Sequence, residues 1–304
     1  MGLIAYTGPS RINGKPVVLL VSGENGESAN EKTGPMAQTW ILPADVAPHV
    51  AINTGDDESV CGGCPLRGLI RKNDDGTTTN YGRSCYVSVR NAPRAVWNAW
   101  KSGKYKQLAD SAWSALKTRL GAYGDPAAIP FKVLVDLVNR GSGKWTGYTH
   151  QWRKRKFQPL RKLVMASTSS VEETREAWRK GWRTFRIRKP GEALLPGEFE
   201  CPASDEAGKR KTCDTCGACN GIGLNGSRSR VPSVSIVVHG TKGALGNYER
   251  TLHSQREKSS TKLLKMSSGN AALAITKNPD GSKTSRIIPL EIAPTGNHER
   301  AFQV

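Results

Sequence analysis

Apolar residues in the first sixty positions fall into short blocks separated by polar, turn-forming segments. Pro16–Ser22 and Thr39–Leu42 are rich in branched and aromatic residues, which favours two β-strands. The glycine- and asparagine-rich segment Gly23–Gly34 connects them. The apolar block His49–Thr54 predicts a third short strand that leads toward the first cysteines. Residues 1–60 are therefore expected to form a β-rich N-terminal segment.

From residue 90 onward, segments with helical periodicity alternate with short apolar segments. The predicted helices are Arg94–Trp100, Tyr105–Lys117, Pro130–Asn139 and Val171–Gly181. The predicted strands are Arg119–Tyr123, Gly147–Gln151, Leu163–Ser167 and Thr184–Ile187. Ser170 precedes the last helix, and Glu173 three residues later completes the pattern of a capping box. The alternation is typical of parallel βαβ units, so the expected fold class is α/β with a full or partial (β/α) barrel, and an open doubly wound sheet is the alternative.

These changes of pattern divide the chain into three parts. After the β-rich segment, residues 61–230 form the barrel-like region, and residues 190–230 within it are an irregular, cysteine-rich, metal-binding insertion. Residues 231–304 form a basic C-terminal region that completes the fold. Its predicted elements are strands at Val234–His239 and Arg286–Ile292 and a helix in the basic stretch Tyr248–Met266.

Basic residues greatly outnumber acidic ones. The 304 residues include 45 Lys and Arg against 26 Asp and Glu, a net charge of +19. Such an excess favours a polyanionic partner, because neutralised phosphates release counterions, and nucleic acid is the expected partner. The segment Trp152–Lys162 interleaves basic and aromatic residues, which predicts phosphate contacts and base stacking, with a solvated loop as the alternative. Its basic residues are Arg153, Lys154, Arg155, Lys156, Arg161 and Lys162.

The chain lacks the sequence features of a membrane or secreted protein. No apolar run approaches the ~18 residues that a membrane span needs, and Met1–Ser10 is not a basic segment followed by an apolar one. We therefore expect a protein with no membrane partner in the cytoplasm, where thiols stay reduced. An odd number of cysteines at CxxC spacings there favours metal ligands over disulfides.

All seven cysteines lie in two groups. Cys61, Cys64 and Cys85 form a cysteine trio, and Cys201, Cys213, Cys216 and Cys219 form a cysteine quartet. Four thiolates close the coordination of an iron–sulfur cluster or a zinc ion, and the tight spacing of the quartet favours iron–sulfur over zinc. Three thiolates leave one metal position open, unless His49 completes a closed Cys3His zinc site. We therefore expect two metal centres, one of which is open to chemistry.

Polar residues near the ends of predicted strands are further candidates. Asp125 follows a strand within Gly-Asp-Pro, and the carboxyl ends of barrel strands hold the active site, although a simple turn aspartate is the alternative. Tyr148 and His150 alternate along the next strand, so both should face the same side. Ser167 ends the following strand and is a candidate for holding a polar ligand group, with helix capping as the alternative. No G-x-G-x-x-G follows a strand and no P-loop is present, which argues against those nucleotide sites.

The order of these motifs resembles the phage proteins of the gene-product-88 type. The shared segments are Cys61–Pro65, Cys85-Tyr86, Arg119–Asp125, Gly147–Thr149, and Cys201-Pro202 with Thr212–Cys219. The resemblance covers a little over half of the chain. It implies a bacteriophage or prophage origin, and with it the host cytoplasm.

More distantly, the arrangement resembles the radical S-adenosylmethionine enzymes. That resemblance implies a (β/α) barrel in which the cysteine trio binds a 4Fe–4S cluster that takes S-adenosylmethionine at its open iron. It also implies that Gly124 and Asp125 stand for the short Gly-rich acidic motif that holds the cofactor, and that the cysteine quartet binds an auxiliary cluster. The trio's spacing, C-x2-C-x20-C, differs from the superfamily's usual C-x3-C-x2-C.

Three functions fit these features. The leading hypothesis is a phage-encoded iron–sulfur enzyme of the radical S-adenosylmethionine type that modifies a nucleic-acid base, with DNA favoured and with Asp125, Tyr148 and His150 as catalytic residues. The second is a zinc-dependent base-exchange transglycosylase of the 7-deazaguanine type, with Asp125 as nucleophile. The third is a non-enzymatic two-zinc nucleic-acid-binding protein, in which those three side chains are dispensable.

Overall fold

The computed structural model describes residues 2–23, 30–108, 117–239 and 245–250, together with three strands between residues 261 and 289. The chain divides into two compact units, Met1–Tyr248 and Glu249–Val304. Within the described residues, no helix is both long enough and apolar enough to cross a membrane.

A ten-stranded sheet forms the centre of the first unit. The strands of this unit are β1 (Gly2–Pro9), β2 (Pro16–Ser22), β3 (Ala37–Pro43), β4 (Leu69–Lys72), β5 (Thr78–Tyr81), β6 (Tyr105–Gln107), β7 (Thr118–Tyr123), β8 (Trp145–Thr149), β9 (Met165–Thr168), β10 (Thr184–Arg188), β11 (Glu198–Glu200) and β12 (Ser233–Val237). The sheet has the order β11-β12-β10-β9-β8-β7-β3-β2-β1-β6, and β4 pairs with β5 in a separate hairpin.

Only β2 is antiparallel to its neighbours in this sheet. It pairs in that way with both β1 and β3, whereas the other neighbouring strands pair in parallel. The five residues Val17–Val21 of β2 are fully buried, as expected for a strand that is covered on both faces. The mixed α/β class with a mostly parallel sheet is thus confirmed, and closure of the sheet into a barrel stays a prediction.

Short helices connect the strands. They are α1 (Pro48–Thr54), α2 (Glu58–Cys61), α3 (Ala92–Lys101), α4 (Phe131–Arg140), α5 (Val171–Arg179) and α6 (Cys213–Cys216), with 3-10 turns at Pro65–Arg67, Pro126–Ala128 and Arg155–Lys162. The predicted cap of α5 is present, because the Ser170 hydroxyl accepts a hydrogen bond from the Glu173 amide at 3.2 Å. The return bond comes from Ser169, whose amide donates to the Glu173 carboxylate at 2.8 Å, one residue earlier than in a capping box.

Two sequence predictions in this unit are wrong. The segment His49–Thr54 is helix α1 and not a strand, because Pro48 suits a first helical turn and Gly55, with φ of 86°, ends the helix in the left-handed region. Residues 105–107 of the predicted helix Tyr105–Lys117 are strand β6, which pairs in parallel with β1. The pairing with a distant strand overrides the helical periodicity. Residues 109–116 of that prediction lie outside the described part of the chain.

Apolar side chains pack on both faces of the sheet. Successive residues of β9 belong to different clusters: Ala166 packs with Leu134 of α4 and Ala177 of α5, whereas Met165 packs with Ile236. Since side chains alternate along a strand, the two clusters lie on opposite faces. The face of Met165 is free of helices α4 and α5 and is where the cysteine quartet packs.

The second unit contains an antiparallel three-stranded sheet. Its strands are β13 (Thr261–Lys265), β14 (Ala271–Lys277) and β15 (Lys283–Pro289), with β14 in the middle. The strand predicted at Arg286–Ile292 corresponds in part to β15. Residues 248–250 of the predicted helix Tyr248–Met266 are helical, whereas residues 261–265 are strand β13. Residues 251–260 and Met266 lie outside the described part of the chain.

Candidate functional site

The first cysteine group is brought together by a short helix and a returning loop. Cys61 ends α2, and the Cys64 amide donates to the Cys61 carbonyl at 3.1 Å, which closes the CxxC turn. The Leu66 carbonyl then accepts hydrogen bonds from the amides of Ser84 at 3.0 Å and Cys85 at 2.9 Å. Hairpin β4–β5 lies between these two points of the chain. Cys85 therefore returns to the CxxC turn, although 21 residues separate it from Cys64 in sequence.

The environment of the trio keeps the thiols of Cys61 and Cys64 protonated in the absence of a metal. Burial raises the pKa of Cys61 well above its ordinary value, and the neighbouring Cys64, Asp57 and Cys85 raise it further. Burial also raises the pKa of Cys64, with Cys85 next in effect. The guanidinium of Arg83 acts in the opposite direction on both thiols. A cationic metal would add to the effect of Arg83 and favour the thiolates.

A buried ion pair holds the CxxC turn in place. The Asp57 carboxylate, which is fully buried, accepts from Arg67 Nε at 3.1 Å and from Arg67 Nη2 at 2.7 Å. Arg67 Nη2 also donates to the Gly55 carbonyl at 2.9 Å. The pair ties the end of α1 to the segment that follows Cys64, so the trio lies on a braced loop.

The second cysteine group is attached to three separate parts of the fold. The Cys201 amide donates to Ser235 O of β12 at 2.8 Å, and the Gly147 amide of β8 donates to Cys219 O at 2.8 Å. The Cys213 amide donates to Lys32 O at 3.0 Å. Helix α6 begins with a capping box between Thr212 and Thr215 and ends at Gly217 in the left-handed region. These bonds place the quartet against β8 and β12.

Arg183 anchors the loop that carries the quartet. Its guanidinium donates to four loop carbonyls: Val231 O at 3.0 Å, Pro232 O at 2.7 Å, Ala218 O at 3.0 Å and Gly221 O at 2.8 Å. The side chain is 2% exposed. Burial lowers the pKa of Arg183 to about 10, so the guanidinium stays charged at neutral pH and uses four of its five N–H donors on neutral carbonyls.

The seven thiols are all free, and their chemistry suits a thiophilic metal such as zinc or iron. Within the quartet, burial raises the pKa of Cys201, Cys213 and Cys219, while Lys32 lowers that of Cys201 and Arg119 lowers that of Cys213. In the part of the chain that the structure describes, no three His, Cys, Asp or Glu side chains converge as a finished ligand set. The donor types fit, and a bound metal would have to draw the thiols of each group together.

A cavity of about 190 Å³ lies between the two cysteine groups on the face of the sheet opposite α4 and α5. The trio loop contributes Leu66, Ser84 and Tyr86, and the quartet contributes Cys213. The sheet contributes alternating residues of four strands, which are Thr146, Tyr148, Ser167, Phe185, Ile187 and Ile236. The rings of Tyr148 and Phe185 lie inside, with centroids 4.3 Å apart and planes inclined by 39°. This concave, largely apolar cavity with a few polar groups has the character of a ligand site.

Three of the sequence candidates line this cavity. Tyr148 and His150 both do, which confirms that they face the same side, and Ser167 does as well. The His150 Nε2 atom is buried and has no hydrogen-bond partner, and burial lowers the pKa of His150 to about 4. The cavity therefore contains a neutral imidazole whose free nitrogen is available to a ligand.

Asp125 lies beside the cavity, and its carboxylate is already satisfied. Oδ1 accepts from the Ala127 amide at 2.9 Å and Oδ2 accepts from the His150 amide at 2.8 Å. Burial raises the pKa of Asp125 to about 6, and these hydrogen bonds partly oppose that effect. Gly124 has φ of 83°, and a Cβ there would lie 2.6 Å from Ile41 O, so a close backbone approach requires glycine. Both residues shape the turn after β7.

The basic segment contributes less free surface than its sequence indicates. Trp152 and Phe157 are buried, so the expectation that they stack on bases is wrong. Arg153 pairs with Glu173 at 3.0 Å and with Glu176 at 2.9 Å. Lys156 Nζ donates to the Arg11 carbonyl at 2.8 Å. The segment folds as a 3-10 turn because its apolar residues are drawn into the core.

Three of the remaining basic side chains of that segment are exposed, Lys154, Arg155 and Lys162. Arg161 is half-buried, and its Nη1 donates to the Lys180 carbonyl at 3.5 Å. Three of the six predicted contacts, Arg153, Lys156 and Arg161, are thus engaged within the protein.

Sequence reasoning missed Lys32, Arg119, Tyr86 and His239, which also line the cavity. The sequence offers a signal for Arg119, because it is the one charged residue in strand β7. Apart from Thr118, the other residues of that strand are apolar, small or aromatic. His239 follows the apolar strand β12 directly. The sequence offers no signal for Lys32, because it lies in a turn that long-range hydrogen bonds hold, such as the one from the Cys213 amide to the Lys32 carbonyl.

No known family profile, no curated protein and no solved structure matches this chain.

Proposed function

We propose that the protein is a thiolate-metal enzyme that modifies a nucleic-acid base, with DNA favoured, in the manner of the radical S-adenosylmethionine enzymes. The observation that carries the proposal is the position of the cavity between the trio loop and the quartet, with Tyr148 and His150 on its wall. The excess of basic residues supports a nucleic-acid substrate.

In this proposal the two cysteine groups have different tasks. Cys61, Cys64 and Cys85 would hold the open 4Fe–4S cluster, and the quartet would hold an auxiliary cluster or a zinc ion. When bound, an open cluster of this kind supplies the electron that cleaves S-adenosylmethionine. The fully buried Asp57 and its partner Arg67 brace the trio, and Arg83 offsets the negative charge that the thiolates develop.

The cavity residues would bind and orient the base. The cavity volume of about 190 Å³ is below the range of about 300–1,000 Å³ that is typical of drug-sized ligands, so a single base fits better than a whole cofactor and substrate together. Tyr148 and Phe185 offer aromatic faces to a flat ring. The neutral His150 can accept or donate one hydrogen bond at a base edge. Apolar neighbours such as Ile187 and Ile236 exclude water.

The transglycosylase alternative requires Asp125 as a free nucleophile. Both of its oxygens accept backbone hydrogen bonds, and the side chain is not among the described residues that line the cavity. Nucleophilic attack would require at least one of these bonds to break. The arrangement therefore gives that alternative no support.

Metal analysis of anaerobically purified protein tests the proposal. We expect about eight irons per chain and a broad absorption near 400 nm if both groups hold 4Fe–4S clusters, or about four irons and one zinc if the quartet holds zinc. Cys85→Ser should remove the iron of the trio and abolish cleavage of S-adenosylmethionine. Cys219→Ser is the matched control, because it should reduce the metal content while leaving the trio loaded. Two zincs and no iron would overturn the proposal in favour of a two-zinc nucleic-acid-binding protein.

A further inference from the structure

Two cationic side chains that line the cavity, Arg119 and Lys32, have no carboxylate partner among the described residues. Arg119 Nη2 donates to the Tyr86 hydroxyl at 2.9 Å, and Nη1 lies 3.5 Å from Gln38 Oε1. Among the described residues that line the cavity, none is acidic. A half-buried guanidinium without a counter-charge there favours an anionic ligand.

The ammonium of Lys32 contacts a histidine at the cavity. Its Nζ lies 3.1 Å from His239 Nε2, while His239 Nδ1 lies 3.1 Å from Val237 O. The imidazole therefore donates through Nδ1 and accepts from the ammonium through Nε2. Lys209 lowers the pKa of Asp205 most strongly and Lys32 adds to that effect; Asp205 is exposed and is paired with Lys209 at 2.8 Å. The ammonium keeps donors for a further anion.

Both cations contact exposed residues of the cavity lining, which mark its entrance: Arg119 contacts Tyr86 and Lys32 contacts His239. The rings of Tyr86 and His239 have centroids 5.8 Å apart and planes inclined by 34°. The half-buried rings of Tyr148 and Phe185 also line the cavity. An anionic group at the entrance and an aromatic ring inside match a nucleotide whose base has entered the cavity and whose phosphate has stayed outside.

From this arrangement we infer that Lys32 and Arg119 form the phosphate-binding site of the enzyme, and that they hold the backbone of a single nucleic-acid strand beside the base in the cavity. The inference rests on the proposed function and deepens it. It assigns the specific phosphate contact to the cavity entrance and not to the exposed residues Lys154 and Arg155. Arg119 can form two parallel hydrogen bonds to one phosphate, and Lys32 supplies a point charge beside it.

Binding of a short, fluorescein-labelled single-stranded DNA, followed by anisotropy over a range of salt concentrations, tests the inference. Arg119→Gln and Lys32→Gln should each weaken binding about tenfold or more, because each removes a charge-assisted contact. Each should also reduce the slope of log K against log salt by about 0.7, the value for one phosphate contact on a single strand. The double variant Lys154→Gln and Arg155→Gln is the matched control, because it removes two exposed charges whereas each entrance variant removes one.

The variants separate a specific contact from general attraction. Arg119→Lys should restore the slope and only part of the affinity, because the charge is kept and the paired hydrogen bonds are lost. Lys32→Gln keeps the test decisive if Arg119→Gln does not fold, since Lys32 is half-buried at the entrance. The inference would be overturned if DNA affinity fell more in the Lys154 and Arg155 variant than in both entrance variants. It would also be overturned if Lys32→Gln and Arg119→Lys bound the DNA as tightly as the wild type. A third outcome against the inference would be that inorganic phosphate alone competes for the site as strongly as DNA does.

Iron content, measured on the same preparations, keeps the two proposals apart. Loss of DNA binding in the entrance variants of a protein without iron would support the phosphate site and refute the proposed enzyme. Normal iron content with unchanged DNA binding would refute the phosphate site alone.

Discussion

Replacement of His150 by asparagine should change how the stability of the protein depends on pH. His150 lines the cavity, its Nε2 atom is buried without a partner, and burial lowers its pKa from 6.5 to about 4. The folded protein thus keeps the imidazole neutral at a pH where the unfolded chain takes up a proton. Asparagine retains the backbone amide that donates to Asp125 and removes only the titrating ring.

The sign and the size of this effect on the free energy of unfolding follow from the pKa values of His150 in the unfolded and the folded protein. A group whose pKa is lower in the folded state contributes stability above the unfolded pKa and loses it as the pH falls through the folded pKa. The difference between 6.5 and about 4 corresponds, at about 1.4 kcal/mol per pH unit, to about 3 kcal/mol once the pH is well below 4. Between pH 7 and pH 5, wild type should lose about 2 kcal/mol more unfolding free energy than His150→Asn.

Urea unfolding at a series of pH values from 7 to 5, under reducing conditions, measures this difference. Asp125, with a pKa raised to about 6, has the opposite sign, because its contribution is lost as the pH rises through that value. It is present in both proteins and cancels in the comparison. His239→Asn is the matched control, since His239 is exposed at the entrance. The control should not reproduce the change.

A constant difference between wild type and His150→Asn across this pH range would refute the reasoning. It would mean that the imidazole is protonated or hydrated in the folded protein. The cavity would then be wet at His150, and the neutral imidazole assigned to base recognition would have no basis.

Two further predictions concern the packing around the site. Gly147→Ala should destabilise the protein by about 1–3 kcal/mol, because its Cβ would lie 2.8 Å from Val164 Cγ1. Urea unfolding checks this, with Gly63→Ala as the control, since its Cβ would lie 3.8 Å from Gln151 Oε1. Arg183→Met should cost about 3 kcal/mol or more, because four carbonyls lose their donor, and should release the metal that we propose for the quartet. Urea unfolding and metal analysis check this, with Arg179→Met at an exposed position as the control. Wild-type stability in either variant would contradict the packing described.

Local chemistry explains which elements were predictable. The strands β2, β7 and β10 and the helices α4 and α5 were predicted near their observed positions, because each combines a clear apolar period with a nearby turn or cap. The Ser170 cap needs only neighbouring residues, so the sequence is sufficient to predict it.

Elements that depend on distant partners were not predictable in the same way. Strand β6 exists because it pairs with β1, about one hundred residues earlier in the chain, and α1 replaces a predicted strand where Pro48 and Gly55 define a helical turn. The same holds for the aromatic residues of the basic segment. Trp152 and Phe157 look available for stacking in the sequence but are buried by tertiary packing.

The sequence by itself determined the α/β class, the two cysteine groups and the strong positive charge, because each of these depends on residue type and short spacing. Only the tertiary structure decided that Cys85 returns to Leu66, that Asp125 caps a turn beside the cavity, and that Lys32 joins Arg119 at its entrance. Those facts depend on the order in which parallel strands pair and on loops that cross between them. Such contacts join residues far apart in the chain, and short-range patterns in the sequence carry no information about them.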